Sequence, residues 1–289
     1  MRRYLLSGLA AITLLSAAAS SNTSRGNAPP QNAPFNKTRA TFKSHDLTLV
    51  GFSYHPDGAG PFPTVIWNHG SEKNPAGGPQ FDSIANVFVP AGYAVFATVR
   101  RGHVGSEGAY IVDTLNAARA KGDGSDQALL VRLHETEQLD DQLAGVAYAK
   151  TLPFVDARRI VVAGCSFGGI QTLLAAERAS TVGFKAAFPI SPAAQTWAFN
   201  PRLQERLKKA VQQIDIPVLL IMPPRDANLD PARVLGAEAT RIGKKQFRTK
   251  IYPPTMPDSQ QTHCFGGAKG FHNWAKDAID FFNGALTSK

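Results

Sequence analysis

Apolar runs of strand length recur along the 289-residue chain at 47–54, 64–67, 93–99, 159–163, 184–189, 217–222 and 247–252, and the later ones alternate with stretches of helical periodicity. Helices are predicted over 81–90, 126–150, 170–179, 231–242 and 274–286, with Pro231 suited to a first helical turn. This rhythm predicts an α/β protein with a mostly parallel central sheet flanked by helices, and a ligand site at the carboxyl ends of the strands. Two stretches leave the rhythm. Residues 105–124 read as an insertion rimming the site and 191–209 as a shorter excursion; with no long helical segment there, a small or absent lid and a fairly open cleft are expected.

The first residues carry a different pattern. Met1-Arg2-Arg3 precedes a short apolar stretch ending in the small residues Ala17 and Ala19, which predicts a secretory signal peptide over 1–19. That stretch is short for a membrane span and no cysteine follows it to carry a lipid, so export without stable membrane insertion after processing is expected, to the periplasm or the medium. Residues 20–36, polar and proline-rich, read as a disordered tether, which leaves 37–289 as one domain. The formal charge of +9 falls to +7 once Arg2 and Arg3 are removed. The remaining basic residues are scattered, with only pairs at Lys208-Lys209 and Lys244-Lys245 and no aromatic interleaving, so no nucleic-acid partner is expected.

Candidate chemistry centres on Arg159-Ile-Val-Val-Ala-Gly164-Cys165-Ser166-Phe167-Gly168-Gly169, where an apolar strand enters a helix through Gly-x-Ser-x-Gly. A turn this sharp forces strained dihedrals on the serine and needs small residues two positions either side, which leaves Ser166 exposed at the strand end as a nucleophile. The N–H of Phe167 can then face the oxyanion that attack creates. A serine needs a base, and the base needs an anion to orient it; in this architecture the order is Ser, acid, His. Asp226 follows the apolar strand 217–222 directly and is the favoured acid, whereas Asp230 precedes a proline and looks like a helix N-cap. Of the two late histidines, His263 lies mid-loop after the last strand and is favoured as base over His272, which abuts the final helix. The loop Asn68-His69-Gly70-Ser71-Glu72 follows the strand 64–67, and the N–H of Ser71 is the second oxyanion candidate; His69 and His103 read as structural.

No His-x-x-x-His or Cys-x-x-Cys spacing and no Gly-x-Gly-x-x-Gly turn after the first strand are present, so neither a metal nor a dinucleotide cofactor is expected. Cys165 and Cys264 each adjoin a candidate catalytic residue. Two free thiols are expected, because the residue before an elbow serine points away beneath the sheet, although export would permit a disulfide.

These residues resemble the α/β-hydrolase superfamily, and more narrowly its dienelactone hydrolase-like branch, over roughly 45–285. Trp67-Asn-His-Gly70-Ser71 looks like the family's oxyanion loop, Arg101-Gly-His-Val-Gly-Ser106 like its Arg-Gly-x-x-x-Ser turn, Gly164 to Gly169 like the elbow, and His263-Cys-Phe like the histidine loop. Dienelactone hydrolases proper use a cysteine nucleophile; here Ser166 holds that position and Cys165 is out of phase, so the resemblance implies a serine esterase acting on a small-molecule ester. A peptidase or thioesterase of the same fold is the alternative within that class. A non-catalytic, hydrolase-like binding protein at the cell surface is the rival from another class.

Overall fold

The computed structural model describes residues 35–287, so the expected signal peptide and nearly all of the expected tether lie outside the described residues. Eight strands form one sheet: β1 (Asn36–Ser44), β2 (Leu47–His55), β3 (Phe62–Asn68), β4 (Ala94–Val99), β5 (Val155–Cys165), β6 (Phe184–Ile190), β7 (Val218–Met222) and β8 (Phe247–Ile251). Their spatial order is 1-2-4-3-5-6-7-8. The β1–β2 hairpin runs antiparallel and β2 pairs antiparallel with β4, while every pairing from β3 to β8 is parallel.

The helices are α1 (Gln80–Phe88), α2 (Ile111–Arg119), α3 (Ser125–Glu135), α4 (Glu137–Ala149), α5 (Phe167–Ala176), α6 (Ala179–Val182), α7 (Pro201–Gln213), α8 (Asp230–Arg241) and α9 (His272–Thr287). They cover both faces of the sheet, and β5 shows why its sequence is an unbroken apolar run. Ile160 and Val162 point into the core beneath α2 to α5, α7 and α8, and Val161, Ala163 and Cys165 point into the opposite core formed with α1 and α9. In that second core Trp67 stacks on Trp274, ring centres 6.3 Å apart, and Phe188 packs against both Trp274 and Phe282.

Several elements depart from the sequence expectation. β1 begins at Asn36, inside the stretch read as tether. The expected helix over 126–150 is broken at Thr136 (φ −115°, ψ −98°) into α3 and α4. The excursion at 191–209 contains a real helix: α7 buries Leu203, Leu207, Ala210 and Val211 at helical spacing, Pro201 opens it, and Asn200 Oδ1 accepts from Leu203 N at 3.0 Å. The insertion at 105–124 carries α2. Together α2 and α3 form one wall of the cleft at Ser166. Among the described residues no helix is long and apolar enough to cross a membrane.

Candidate active site

Ser166 sits between the last residue of β5 and the first of α5, with φ 60° and ψ −121°. That conformation is held from both sides: Ser166 N donates to Ile190 O at 3.0 Å and Ser166 O accepts from Ile170 N at 3.1 Å. The turn can be this sharp because Gly164, Gly168 and Gly169 around it have no side chains. A Cβ on Gly168 would fall 1.9 Å from Asn68 O, one on Gly164 2.5 Å from the same oxygen, and one on Gly169 2.7 Å from Ile190 O. The elbow is therefore pressed against the end of β3, and a Cβ on Gly70 would lie 3.6 Å from Ser166 Cβ.

Asp226 lies in the loop after β7 with its side chain fully buried. Its Oδ1 accepts from Ala227 N at 2.8 Å and from His263 Nδ1, also at 2.8 Å. With Nδ1–H donating, Nε2 of His263 carries the lone pair; it is buried and unpaired among the described residues. His272 is elsewhere: it opens α9, is exposed, and sets its ring edge-on to Phe271. Asp230 is also apart from this pair, as the first residue of α8, facing Arg233 at 3.4 Å. It is not the N-cap expected from its place before Pro231; Asn228 Oδ1 accepts from Asp230 N instead, at 2.7 Å.

The expectation of two free thiols is overturned. Cys165 and Cys264 form a disulfide across 99 residues, with Cα atoms 6.0 Å apart. Cys165 does point beneath the sheet, into the α1/α9 core. What the sequence hid is that the histidine loop follows it down. Cys264, Phe265 and Gly266 have φ of 54°, 57° and 70°, a left-handed run that reverses the chain straight after His263. The buried ring of Phe265 then meets Tyr252 edge-on at 5.1 Å.

The loop after β3 is gripped by a buried cation, Arg100, that the sequence did not single out. Arg100 Nη2 donates to His69 O at 2.9 Å and Gly70 O at 2.8 Å, and its Nε donates to Gln138 Oε1 at 3.1 Å. Burial pulls the guanidinium down to about 10, against the opposing fields of Glu72 and Asp141. Glu72 was also missed as part of this network; burial pushes its carboxyl up, partly opposed by Arg100.

His69 is structural, as expected. Its Nε2 accepts from Arg100 N at 3.2 Å while Nδ1–H donates to Gly70 O at 2.9 Å, and burial followed by the Arg100 charge holds it well below the usual histidine range. His103 packs edge-on to His69 and Tyr110, with its pKa lowered to about 3 chiefly by burial. His134, edge-on to Phe167 at 4.9 Å, accepts from Gln171 Nε2 and is likewise pushed to about 3 by burial.

Ser71, Ser166 and Phe167 line one cleft of about 210 Å³ together with Val112, Leu115 and Leu130 of α2 and α3 and the segment Ala193 to Thr196. Phe167 opens α5, so its N–H has no carbonyl one turn back to donate to. A second cleft of about 430 Å³ shares Arg119, Leu130, Gln195 and Thr196 with the first and reaches Phe199, a residue 73% exposed. The insertion at 105–124 thus rims the cleft, as expected.

The prolyl oligopeptidase family model matches residues 120–215, about a third of the chain, spanning the elbow. No curated protein matches. Among solved structures, the chain is similar to an acylaminoacyl peptidase from Pyrococcus horikoshii (21% identity, TM-score 0.62), covering 88% of this chain and 42% of that one. It is similar also to the Pyrococcus furiosus esterase Pf2001 (16%, TM-score 0.64; 87% of this chain, 94% of that one). A third is Est1E of Butyrivibrio proteoclasticus, described with ferulic acid bound (20%, TM-score 0.61; 86% and 100%). The chain thus spans less than half the length of the peptidase and nearly the whole of both esterases. At these identities the likeness carries the fold, and it agrees with the sheet order and the strained serine between β5 and α5: this chain has the α/β-hydrolase fold.

Proposed function

We propose that the protein is a serine hydrolase that cleaves carboxylic esters through Ser166, His263 and Asp226. The observation that carries this is the 2.8 Å hydrogen bond from His263 Nδ1 to the buried Asp226, on a loop whose next residue is covalently joined to the residue before Ser166. Asp226 fixes the tautomer that leaves Nε2 as a proton acceptor and stabilises the imidazolium once formed. His263 Nε2 takes the Ser166 proton as Oγ attacks the ester carbonyl, and the N–H groups of Ser71 and Phe167 hold the oxyanion. Nε2 then returns the proton to the leaving alcohol. Water, deprotonated by the same nitrogen, releases the acid from the acyl-enzyme.

The substrate reading rests on the cleft. Val112, Leu115 and Leu130 give the cleft beside the candidate oxyanion donors an apolar wall, Asn116, Arg119 and Gln195 give it a polar one, and the adjoining cleft reaches Phe199. That shape suits a small or aromatic acyl group, in keeping with the ferulic acid described on Est1E. The motifs shared with dienelactone hydrolases favour that branch with serine in place of cysteine. Export remains part of the proposal, and a disulfide at the site favours an oxidising compartment. No metal, nucleic-acid partner or stable membrane insertion is invoked.

The match to the prolyl oligopeptidase family favours one second reading, a peptidase. Purified protein offered p-nitrophenyl acetate, p-nitrophenyl cinnamate and an acylpeptide p-nitroanilide separates the two. Turnover of the esters with at most trace release from the anilide is expected; efficient anilide cleavage would establish the peptidase instead.

A further inference from the structure

We propose that the Cys165–Cys264 disulfide is the positioning device of the reaction, setting Ser166 against His263, so that hydrolysis depends on that bond being oxidised. This rests on Ser166 and His263 being nucleophile and base. Each cysteine is one peptide bond from one of them, and the bond joins positions 99 residues apart in sequence with Cα atoms 6.0 Å apart. The chain is strained beside one sulfur and at the other: Ser166, next to Cys165, has φ 60°, and Cys264 and its neighbour Phe265 have φ 54° and 57°. Non-glycine residues stay in such conformations only where the surroundings enforce them.

The other restraints on His263 are non-covalent: two residues before it Gln261 O accepts from Arg225 N at 2.8 Å and Gln261 Nε2 donates to Met256 O at 2.6 Å. Between Ile251 and His272 the chain has only short 3₁₀ turns, with no strand or α-helix. The imidazole has the bond to Asp226, and the next peptide N–H reaches Ser191 Oγ at a long 3.3 Å. Phe265 anchors the far side of the turn in the core. The disulfide is the one covalent tie between this loop and the elbow, and misplacing a reacting group by an ångström is enough to cost a large factor in rate. Both cysteines also line a small cleft of about 20 Å³ with Gln80, Ala268 and Phe271, so reduction of the folded protein is confirmed by counting free thiols. A water-soluble phosphine would attack one sulfur and expel the other as a thiolate; water then hydrolyses the thiophosphonium, so the bond ends as two thiols and the phosphine as its oxide.

The test compares the oxidised protein, the same protein treated with tris(2-carboxyethyl)phosphine, and the double variant Cys165→Ala/Cys264→Ala. Each is checked for folding by circular dichroism and followed by p-nitrophenyl acetate kinetics and by the downfield proton resonance of His263 Nδ1–H. In folded protein lacking the bond, kcat should fall by about tenfold or more with KM within about twofold, because the tether aligns reacting atoms rather than binding substrate. The resonance should broaden or vanish, and reoxidation of the phosphine-treated protein should restore both. If the double variant does not fold, the phosphine-treated protein below its unfolding temperature decides. A reduced, folded protein that keeps kcat within about twofold and keeps the resonance overturns the proposal. Failure of the oxidised protein to turn over any ester contradicts the hydrolase reading instead; the resonance still decides the tether, its loss on reduction supporting it and its persistence overturning it.

Discussion

Replacing Gly168 by alanine should damage the site without touching any reacting group. The added Cβ would stand 1.9 Å from Asn68 O, 2.5 Å from Asn68 C and 2.6 Å from His69 O, all of them backbone atoms. Carbon and carbonyl oxygen approach no closer than about 3.3 Å, so the elbow helix and the end of β3 must separate by roughly 1.4 Å at that point. Overpacking of this kind costs about 1–3 kcal/mol, while alanine in a helix returns up to about 1 kcal/mol, leaving a net loss of about 0–2 kcal/mol where the return is full. The functional cost should be larger than the stability cost, because Asn68 and His69 lead directly into Ser71, the proposed oxyanion donor. A displacement near 1 Å there predicts a loss of about a hundredfold in kcat/KM. Thermal unfolding by circular dichroism and hydrolysis of p-nitrophenyl acetate measure the two effects. Gly78→Ala is the control, since nothing lies within 4 Å of the Cβ it would add. Wild-type stability and activity in Gly168→Ala would refute the claim that the elbow is pressed against the oxyanion loop.

Three other outcomes follow from the same geometry. His263→Ala should lower kcat for p-nitrophenyl acetate by several orders of magnitude, as loss of a triad base does, and His272→Ala, at an exposed helix start, should leave most of it; the reverse result would move the base to His272. Arg100→Met removes the donor that holds His69 O and Gly70 O, and leaving those carbonyls unpaired should cost about 1–3 kcal/mol in urea unfolding together with a drop in kcat; an unaffected kcat would show that the oxyanion loop holds itself. Acid should unfold the protein early. His103 and His134 have folded pKa values near 3 against 6.5 unfolded, so their contribution is whole above pH 6.5 and is lost as pH falls toward 3. That is roughly 2 kcal/mol each by pH 5, with Glu72, shifted the other way, offsetting part of it; flat denaturation midpoints from pH 7 to 5 would contradict this.

The parts of the site legible in sequence are those written locally. Gly164, Gly168 and Gly169 announce a turn that only glycine permits, and Asp226 and His263 follow apolar strands whose ends must meet on a parallel sheet. The parts not legible depend on contacts between distant segments. Nothing in Cys264's neighbourhood shows that the left-handed run after His263 carries it below the sheet to Cys165, because Cys264 and Phe265 are not residues that advertise positive φ. Nothing local marks Arg100 for burial; Gln138 of α4 and the carbonyls of the loop after β3 meet on it from distant parts of the chain. The helix α7 falls largely within the stretch read as a short excursion, although Leu203, Leu207, Ala210 and Val211 keep a helical period and Asn200-Pro201 marks its start.

The most direct measurement is covalent labelling of the folded, oxidised protein with a fluorophosphonate, followed by peptide mass spectrometry. One adduct per chain on the peptide containing Ser166, absent in Ser166→Ala and strongly slowed in His263→Ala, is the predicted result. No adduct on folded wild-type protein, or an adduct that persists in Ser166→Ala, would contradict Ser166 as an activated nucleophile.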